Sequence, residues 1–174
     1  MIFFTSDQHF FHKNIINYTD RPYDTIEEMN ADIIRKHNEV VKDGDVVYQL
    51  GDFSFEKDIT DTLSQLNGEH IFVRGNHDRW EGVDDVPWIR DIKVPIEGVM
   101  TKTGKPYKQK IALCHYPMRS WNSSYHGSYH LYGHAHGNVE ETSTSLDVGI
   151  DCWDYYPVSF TQIVSKLRGS YEVS

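Results

Sequence analysis

Residues 24–52 have the sequence DTIEEMNADIIRKHNEVVKDGDVVYQLGD, which contains a helix, its stop and a buried strand in one run. Thr25 is followed three residues later by Glu28, a capping-box pattern that marks the start of a helix. Apolar residues then recur at helical spacing and predict an amphipathic helix that ends near Gly44. They are Ile26, Met29, Ile33, Ile34, Val40 and Val41, with His37 on the same face. The β-branched and aromatic run that follows predicts a buried strand that stops at Asp52.

Similar apolar runs lie on both sides of this segment, and each ends in a polar cluster. The segment is preceded by MIFFTSD (1–7) and followed by a second helical stretch, DITDTLSQLNG (58–68), and then by HIFVRGNHD (70–78). The alternation of strands and helices predicts a parallel sheet with right-handed crossovers. Later strands are predicted in KIALCHYP (110–117), YHLYGHAH (129–136) and TSLDVGID (144–151). The chain is therefore predicted to be an α/β protein whose second half extends a mixed sheet or forms a second sheet packed on the first.

Residues of the kinds that bind metals follow the carboxyl ends of five predicted strands. They are Asp7, Asp52, Asn76, His115 and His134. In open α/β sheets ligands bind outside the carboxyl ends of the strands, so these side chains are expected at one edge of the protein. Any one of them alone is better explained as a polar turn residue. Their occurrence at five strand ends favours a shared site.

The segment LYGHAHGN, residues 131–138, adds a pair of histidines to this set. Residues two apart in an extended chain face the same side, so His134 and His136 are expected to point the same way. His9 stands two residues after Asp7 and repeats this spacing. Seven candidates exceed the four ligands of a structural zinc and suit two ions about 3.5–4 Å apart with one bridging carboxylate. Carboxylate, amide and imidazole together favour Mn, Fe, Zn or similar metals over calcium.

The composition is that of an ordinary globular chain of 174 residues, with 39% hydrophobic and 25% charged residues. The 17 basic and 26 acidic residues give a formal net charge of −9, which disfavours binding along a nucleic-acid backbone. Bound cations would still allow a small phosphorylated substrate. Two cysteines, no signal-like start and no apolar run of membrane length predict a reduced, cytoplasmic protein without a membrane partner. The oligomeric state stays open.

Five motif blocks occur in a fixed order between residues 7 and 136. They are Asp7-x-His9, Gly51-Asp52, Gly75-Asn76-His77-Asp78, His115 and Gly133-His134-x-His136. With these blocks the chain resembles the calcineurin-like metallophosphoesterase family, and its start, SDQHFFHKNII with RPY shortly after, resembles small bacterial and phage members. The resemblance implies one metallophosphoesterase domain over residues 1–174. It also implies an α/β fold of two facing mixed β-sheets flanked by helices, a four-layer α/β/β/α sandwich.

The resemblance also implies a centre of two divalent metal ions, with Mn as the first choice and Fe, Zn, Ni or Co as alternatives. The ligands implied for the first ion are Asp7, His9, Asp52 and His136. Those implied for the second ion are Asn76, His115 and His134, together with Asp52 as the bridge.

The reaction implied is hydrolysis of a small phosphodiester, with nucleotide-like and cyclic nucleotide substrates among the candidates. In the family, a hydroxide between the ions attacks phosphorus in line, and His77 is implied beside the leaving oxygen as a catalytic residue. Asp78 is implied to hold the His77 ring and favour its protonated form. Three alternatives stay open: a phosphomonoesterase, a non-catalytic metal-binding scaffold, and a nuclease on long DNA or RNA, which the net charge disfavours.

Candidate substrate contacts lie close to the motif residues. Arg79 and Arg119 are candidates for holding a phosphate, and His12 either contacts the substrate or is a loop residue. Relatives often have glycine where Phe11 stands, so this loop is expected to be bulkier here. Aromatic residues late in the chain predict either a stacking wall for a nucleobase or packing between layers. They are Tyr116, Trp121, Tyr125, Tyr129, Trp153, Tyr155 and Tyr156.

Overall fold

The structure is a computed structural model that describes residues 1–84 and 86–169, and these contain eight strands and four helices. The strands are β1 (Ile2–Thr5), β2 (Val46–Gln49), β3 (Glu69–Phe72), β4 (Ile89–Met100), β5 (Pro106–Cys114), β6 (Tyr129–Tyr132), β7 (Ser145–Asp147) and β8 (Val158–Ser159). The helices are α1 (Ile15–Tyr18), α2 (Ile26–Val40), α3 (Thr60–Ser64) and α4 (Phe160–Gly169). Two 3-10 turns lie at Ser124–His126 and Ile150–Cys152.

Helix α2 begins as its sequence predicts and ends earlier. The Thr25 side chain accepts a hydrogen bond from the backbone N–H of Glu28, which satisfies one of the free donors of the first turn. The helix ends at Val40 rather than near Gly44, because Val41 turns to an extended conformation. The Val41 side chain is thereby buried against Phe3 and Val47 on the outer face of the first sheet. Packing thus ends the helix, and Gly44, at φ +83°, lies in the following turn.

The first sheet has the strand order β3-β2-β1-β8. Strands β1, β2 and β3 are parallel, as predicted, and β8 pairs antiparallel with β1. Helix α3 is shorter than the predicted stretch 58–68. Its predicted apolar residues Ile59, Leu63 and Leu66 nevertheless pack in one cluster with α1, α2 and the outer face of this sheet.

The second sheet has the order β4-β5-β6-β7, with β4 antiparallel to β5 and the other strands parallel. A second sheet was one of the two predicted outcomes, and it is confirmed. Strand β4 is not predicted by the patterns above, since it carries Pro95 and buries few of its side chains, among them Val94 and Ile96. Both features are typical of an edge strand with one exposed face.

The largest apolar cluster draws side chains from both sheets, among them Phe4, Leu50, Leu113 and Leu131. Helix α4, which the sequence patterns do not predict, adds Phe160, Ile163 and Leu167 to this cluster. The chain thus forms two four-stranded mixed sheets flanked by helices. Within the described residues, none of the helices combines the length and apolar character needed to cross a bilayer.

Candidate metal centre

The chain turns sharply where its strands end, and five of the predicted site residues lie in these turns. Asp7, His9, Asp52, His134 and His136 all have positive φ values, between 45° and 67°. This left-handed region costs a non-glycine residue about 1–2 kcal/mol. Such strain persists where the surroundings impose it, and it clusters at functional sites. Here it directs side chains from separate strands toward one place.

Asp52 lies at the centre of this place and connects its two halves. Its Oδ2 atom is 3.6 Å from Nε2 of His9 and 3.4 Å from Nε2 of His115. Its Oδ1 atom accepts a hydrogen bond of 2.9 Å from the backbone N–H of His77. One carboxylate oxygen therefore faces two imidazoles that come from different sheets.

The first group of potential ligands contains Asp7, His9 and His136, whose ligand atoms lie within 4.8 Å of one another. Oδ1 of Asp7 and Nε2 of His9 are fully buried, yet among the described residues neither has a hydrogen-bond partner. A buried polar atom without a partner costs about 1–3 kcal/mol. Two such atoms 3.8 Å apart, one from a carboxylate and one from an imidazole, fit the donor set of a transition-metal ion.

The second group contains Asp52, His115 and His134, whose ligand atoms also lie within 4.8 Å of one another. Nε2 of His115 is 3.1 Å from Oδ1 of Asn76, so the amide predicted for this group lies beside it. His134 is the most exposed of the three. The two groups together with Asn76 contain all seven predicted ligands, and each group could bind a metal ion.

Other residues fix the orientation of the imidazoles. Nδ1 of His136 is 2.7 Å from Oδ2 of Asp151, and Nδ1 of His115 is 2.8 Å from the carbonyl oxygen of Leu50. The second ring nitrogen of each histidine is thereby left for the centre, an arrangement typical of metal-ligating histidines. Arg21, which is buried, donates to both Asp151 oxygens at 2.8 Å and to the carbonyl oxygen of Asp7 at 2.7 Å.

The protonation states of the buried ligands depend on burial and on their pairing. Burial lowers the pKa of His9 to about 2, so its imidazole is neutral and able to coordinate. Burial raises the pKa of Asp7 to about 6, although the neighbouring His115 and His136 oppose this shift. Burial also disfavours the charged forms of Asp52 and His115. The contact between these two side chains outweighs burial, lowers the pKa of Asp52 to about 2 and raises that of His115 to about 9. Without a metal ion the Asp52–His115 pair therefore holds a proton, which a bound ion would have to displace.

Two glycines of the motifs are required by close approach. A Cβ atom on Gly133 would lie 2.0 Å from Oγ of Ser6 and 2.3 Å from Oδ2 of Asp7. A Cβ atom on Gly75 would lie 2.3 Å from both the backbone nitrogen and Oδ1 of Asp52. Because the ligand-bearing loops pass directly against these positions, any side chain there would displace the carboxylates.

His77 lies at the edge of the centre. Its Nε2 atom is 4.0 Å from Oδ2 of Asp52, and its side chain is 43% exposed. The predicted contact with Asp78 does not occur: within the described part of the chain, no hydrogen bond joins the Asp78 carboxylate to the His77 ring. The carboxylate is instead buried and accepts bonds from the backbone nitrogens of Asp52, Phe53 and Gly75 and from Nε1 of Trp80. Asp78 therefore holds together the loops after β2 and β3.

The centre opens into a cavity of about 500 Å³ whose walls include His9, His12, Asp52 and His77. His12 thus lies where a substrate contact was predicted, and its Nδ1 is 3.3 Å from Nδ1 of His9. Phe11 beside it is half exposed and has a φ of +61°. Arg79 and Arg119 are exposed and are not among the described residues that line the cavity.

The late aromatic residues divide between packing and exposure. Tyr116 is beside the centre, with its ring 4.7 Å from that of His134. Tyr129, Trp153 and Tyr155 pack in or against the apolar clusters, as one of the two predictions has it. Tyr125 is exposed outside the described cavity walls.

Asp151 and Arg21 were not predicted as site residues. Asp151 follows the strand in TSLDVGID closely, so the strand-end rule applied to this run could have pointed to it. Asp147, the last residue of β7, accepts hydrogen bonds from the backbone nitrogens of Gly137 and Gly149. The partner of Arg21 is Asp151, which lies 130 positions later in the chain, and the local sequence around Arg21 does not indicate this contact.

These features define a two-sheet α/β protein with two Asp/His groups that could bind metal ions. The chain is 33% identical to the uncharacterized protein MJ1445 of Methanocaldococcus jannaschii over 178 residues, which cover 96% of this chain and 91% of that protein. It belongs to the same family as MJ1445. The solved structure of AQ665, a protein of unknown function from Aquifex aeolicus, has a TM-score of 0.65 and 22% identity, and the match covers 95% of this chain and 98% of that one. This likeness shows a shared fold. No family model matches the chain.

Proposed function

We propose that this protein is a metal-dependent phosphoesterase that uses two divalent ions and prefers phosphodiesters. The observation that carries the proposal is the position of Asp52, whose Oδ2 atom faces His9 of one ligand group and His115 of the other. A carboxylate that faces both groups could bridge two ions held about 3.5–4 Å apart. The resemblance of the motif order to the calcineurin-like metallophosphoesterases supports the same function.

The ligands would divide as the two groups do. Asp7, His9 and His136 would hold one ion, and His115, His134 and Asn76 the other, with Asp52 between them. Bound there, the ions would supply Lewis acidity toward a phosphoryl oxygen and a water of lowered pKa. Carboxylate, amide and imidazole ligands together suit Mn, Fe, Zn, Ni or Co, and Mn is the first choice because of the resemblance to the calcineurin-like family.

His77 would act on the substrate itself. Its side chain is partly exposed at the rim of the cavity, and its ring has no ligand position in either group. It would therefore be free to donate a hydrogen bond or a proton to the leaving oxygen. Asp78 would contribute through the loop it holds rather than through contact with the His77 ring.

The remaining expectations belong to the same proposal. They include the four-layer arrangement of the calcineurin-like fold, a cytoplasmic location and a small phosphoester as substrate. The open cavity supports a diester, because a second esterified group can extend into solvent. The net charge of −9 weighs against long nucleic acid as the substrate.

The test compares substrates on one metal-loaded preparation. Protein stripped with a chelator and reloaded with Mn²⁺ is assayed on bis(p-nitrophenyl) phosphate, p-nitrophenyl phosphate and 2′,3′-cyclic nucleotides. We expect turnover that depends on the metal and is fastest on a diester. Faster turnover of the monoester would identify a phosphomonoesterase. No hydrolysis on a broad panel with any of the five metals would favour the non-catalytic scaffold.

Asp61 is an exposed carboxylate on α3. Asp61→Asn is therefore the matched control for variants of Asp52.

A further inference from the structure

Exposed aromatic side chains border the cavity beside the candidate centre. Phe55 is 43% exposed and Tyr18 is 71% exposed, and both line the same cavity as His77. Neither belongs to an apolar cluster of the described core. Apolar surface left in water adds nothing to folding stability, so the placement of both side chains on this cavity points to a ligand.

One face of the Phe55 ring is covered by His12. The two rings are stacked, with centroids 3.8 Å apart and an interplanar angle of 17°. The His77 ring lies 5.1 Å from that of Phe55. If the His12 and His77 rings lay on opposite faces of Phe55, their centroids would be separated by nearly the sum of their two distances from the Phe55 ring. The His12 and His77 centroids are only 6.0 Å apart. Neither histidine therefore covers the opposite face of Phe55.

Tyr18 provides a second aromatic surface at this place. Its ring meets that of His12 edge-on, with centroids 6.1 Å apart and an interplanar angle of 72°. His12 thus joins two aromatic side chains into one wall. A wall of exposed aromatic faces is suited to stacking of a flat ring, which contributes affinity with little dependence on the identity of that ring.

This wall lies close to the candidate reacting position. The Phe55 ring is 6.0 Å from that of His9, a predicted ligand, and directly neighbours that of His77. A phosphoryl group at the centre would therefore place its organic substituent against the wall. The cavity volume of about 500 Å³ fits a small molecule rather than a polypeptide segment.

We propose that Phe55 and Tyr18 form a stacking subsite, and that the substrates are phosphoesters of nucleosides. The inference rests on the proposed function for the chemistry of the phosphoryl group, and it adds the class of the organic substituent. Phe55 is the principal stacking residue, since His12 fixes its orientation from behind.

The test uses two ligands that differ only in the base. Binding of AMP and of ribose 5-phosphate to Mn²⁺-loaded protein is measured by calorimetry. We expect AMP to bind the wild-type protein about ten-fold more tightly, and Phe55→Ala to remove that ratio while leaving the affinity for ribose 5-phosphate unchanged. Phe55→Tyr keeps the ring and should keep the ratio, whereas Tyr18→Ala should reduce it in part. Tyr125→Ala removes an exposed aromatic outside the cavity and is the matched control.

The outcomes separate this inference from the proposed function. Equal affinity for the two ligands in the wild type, or a ratio that survives Phe55→Ala, would overturn the stacking subsite even if bis(p-nitrophenyl) phosphate is hydrolysed. A base-dependent ratio that Phe55→Ala removes, without hydrolysis of any phosphoester, would support the subsite and overturn the catalytic proposal. Thermal melting of each variant identifies any that fails to fold. If Phe55→Ala does, Tyr18→Ala decides, because an unchanged ratio in that variant would overturn the stacking subsite.

Discussion

Oδ2 of Asp151 lies 2.7 Å from Nδ1 of His136, and this contact fixes which nitrogen of His136 faces the metal ligands. The hydrogen bond to His136 and the guanidinium of Arg21 outweigh the effect of burial and lower the pKa of Asp151, so its carboxylate keeps its charge. Asp151 is not a predicted metal ligand, but through this contact it orients a side chain that is one.

Replacement of Asp151 by Asn should weaken metal binding without removing a ligand. The loss of an orienting carboxylate lowers metal affinity about 10- to 100-fold in sites of this kind. Titration of chelator-treated protein with Mn²⁺ measures the effect. Asp154→Asn, an exposed carboxylate three residues later, is the control and should bind Mn²⁺ like the wild type. Equal affinity in both variants would contradict an orienting contribution of Asp151.

Replacement of Asp52 by Asn should affect both ions, because the shared oxygen loses its negative charge. We expect the metal content after gel filtration to fall from about two ions per chain to one or none. Elemental analysis measures this directly. A variant with both ions and near wild-type turnover would rule out Asp52 as the bridge.

Replacement of His77 by Ala should separate metal binding from catalysis. Because the His77 ring is not a predicted metal ligand, the metal content should stay near two ions per chain. Turnover should fall about 10²- to 10⁴-fold, because general acid catalysis is lost. Elemental analysis and the diester assay are made on the same sample. Loss of one metal equivalent would assign His77 to the ligands instead.

Addition of a fitting metal should stabilise the fold, since buried atoms of Asp7 and His9 lack hydrogen-bond partners among the described residues. At a free metal concentration 100 times the Kd, binding contributes about 2.7 kcal/mol. For a chain of this size that raises Tm by about 5–10 °C. Thermal scans with Mn²⁺, Fe²⁺, Zn²⁺, Ni²⁺ or Co²⁺ test this, with Ca²⁺ as the comparison ion. No shift with any of the five metals would overturn the dinuclear centre.

Acidification should destabilise the fold through a pair of histidines that are not among the described residues lining the cavity. His37 and His70 stack with centroids 5.3 Å apart, and Nε2 of each bonds to the carbonyl oxygen of Asn67. Burial lowers the pKa of both, and that of His70 to about 4. The unfolded chain, with an ordinary histidine pKa near 6.5, then binds more protons than the folded one between pH 6.5 and 4. Stability is therefore complete above pH 6.5 and is lost as pH falls toward 4.

For His70 this linkage amounts to about 2 kcal/mol between pH 7.5 and pH 5. Urea unfolding of the wild type and of His70→Gln at both pH values measures it, because titrating groups other than the stacked His37 contribute equally to both proteins. The variant should lose about 2 kcal/mol less on acidification. The same loss in both proteins would show that His70 keeps an ordinary pKa in the folded state.

The positions of the predicted ligands could be read from the sequence because strand ends are local signals. Each apolar run stops at a polar residue, and parallel strands bring those ends to one edge of a sheet. Asp7, Asp52 and Asn76 follow β1, β2 and β3 of one parallel sheet and are therefore close together. His115 follows β5 of the second sheet, so its approach to Asp52 depends on how the two sheets pack.

The rest depends on packing over long distances. Helix α2 ends at Val40 because Val41 is buried against the sheet, and no residue near Val41 indicates this. The Asp78 carboxylate faces backbone nitrogens of two loops instead of its neighbour His77, because both of its oxygens are buried between those loops. The end of α2 and the hydrogen bonds of Asp78 are therefore determined by tertiary packing rather than by the local sequence.

The guanidinium of Arg21 has an implication for synthesis of the protein. It is enclosed among the oxygens of Asp7, Gln8 and Asp151, and the last of these is added to the chain 130 residues after Arg21 itself. A nascent chain that stops short of residue 151 holds a cation without the carboxylate that balances it, and burial of that cation is unfavourable. The contacts that join the amino-terminal motifs to Asp151 are therefore complete only once residue 151 has been added.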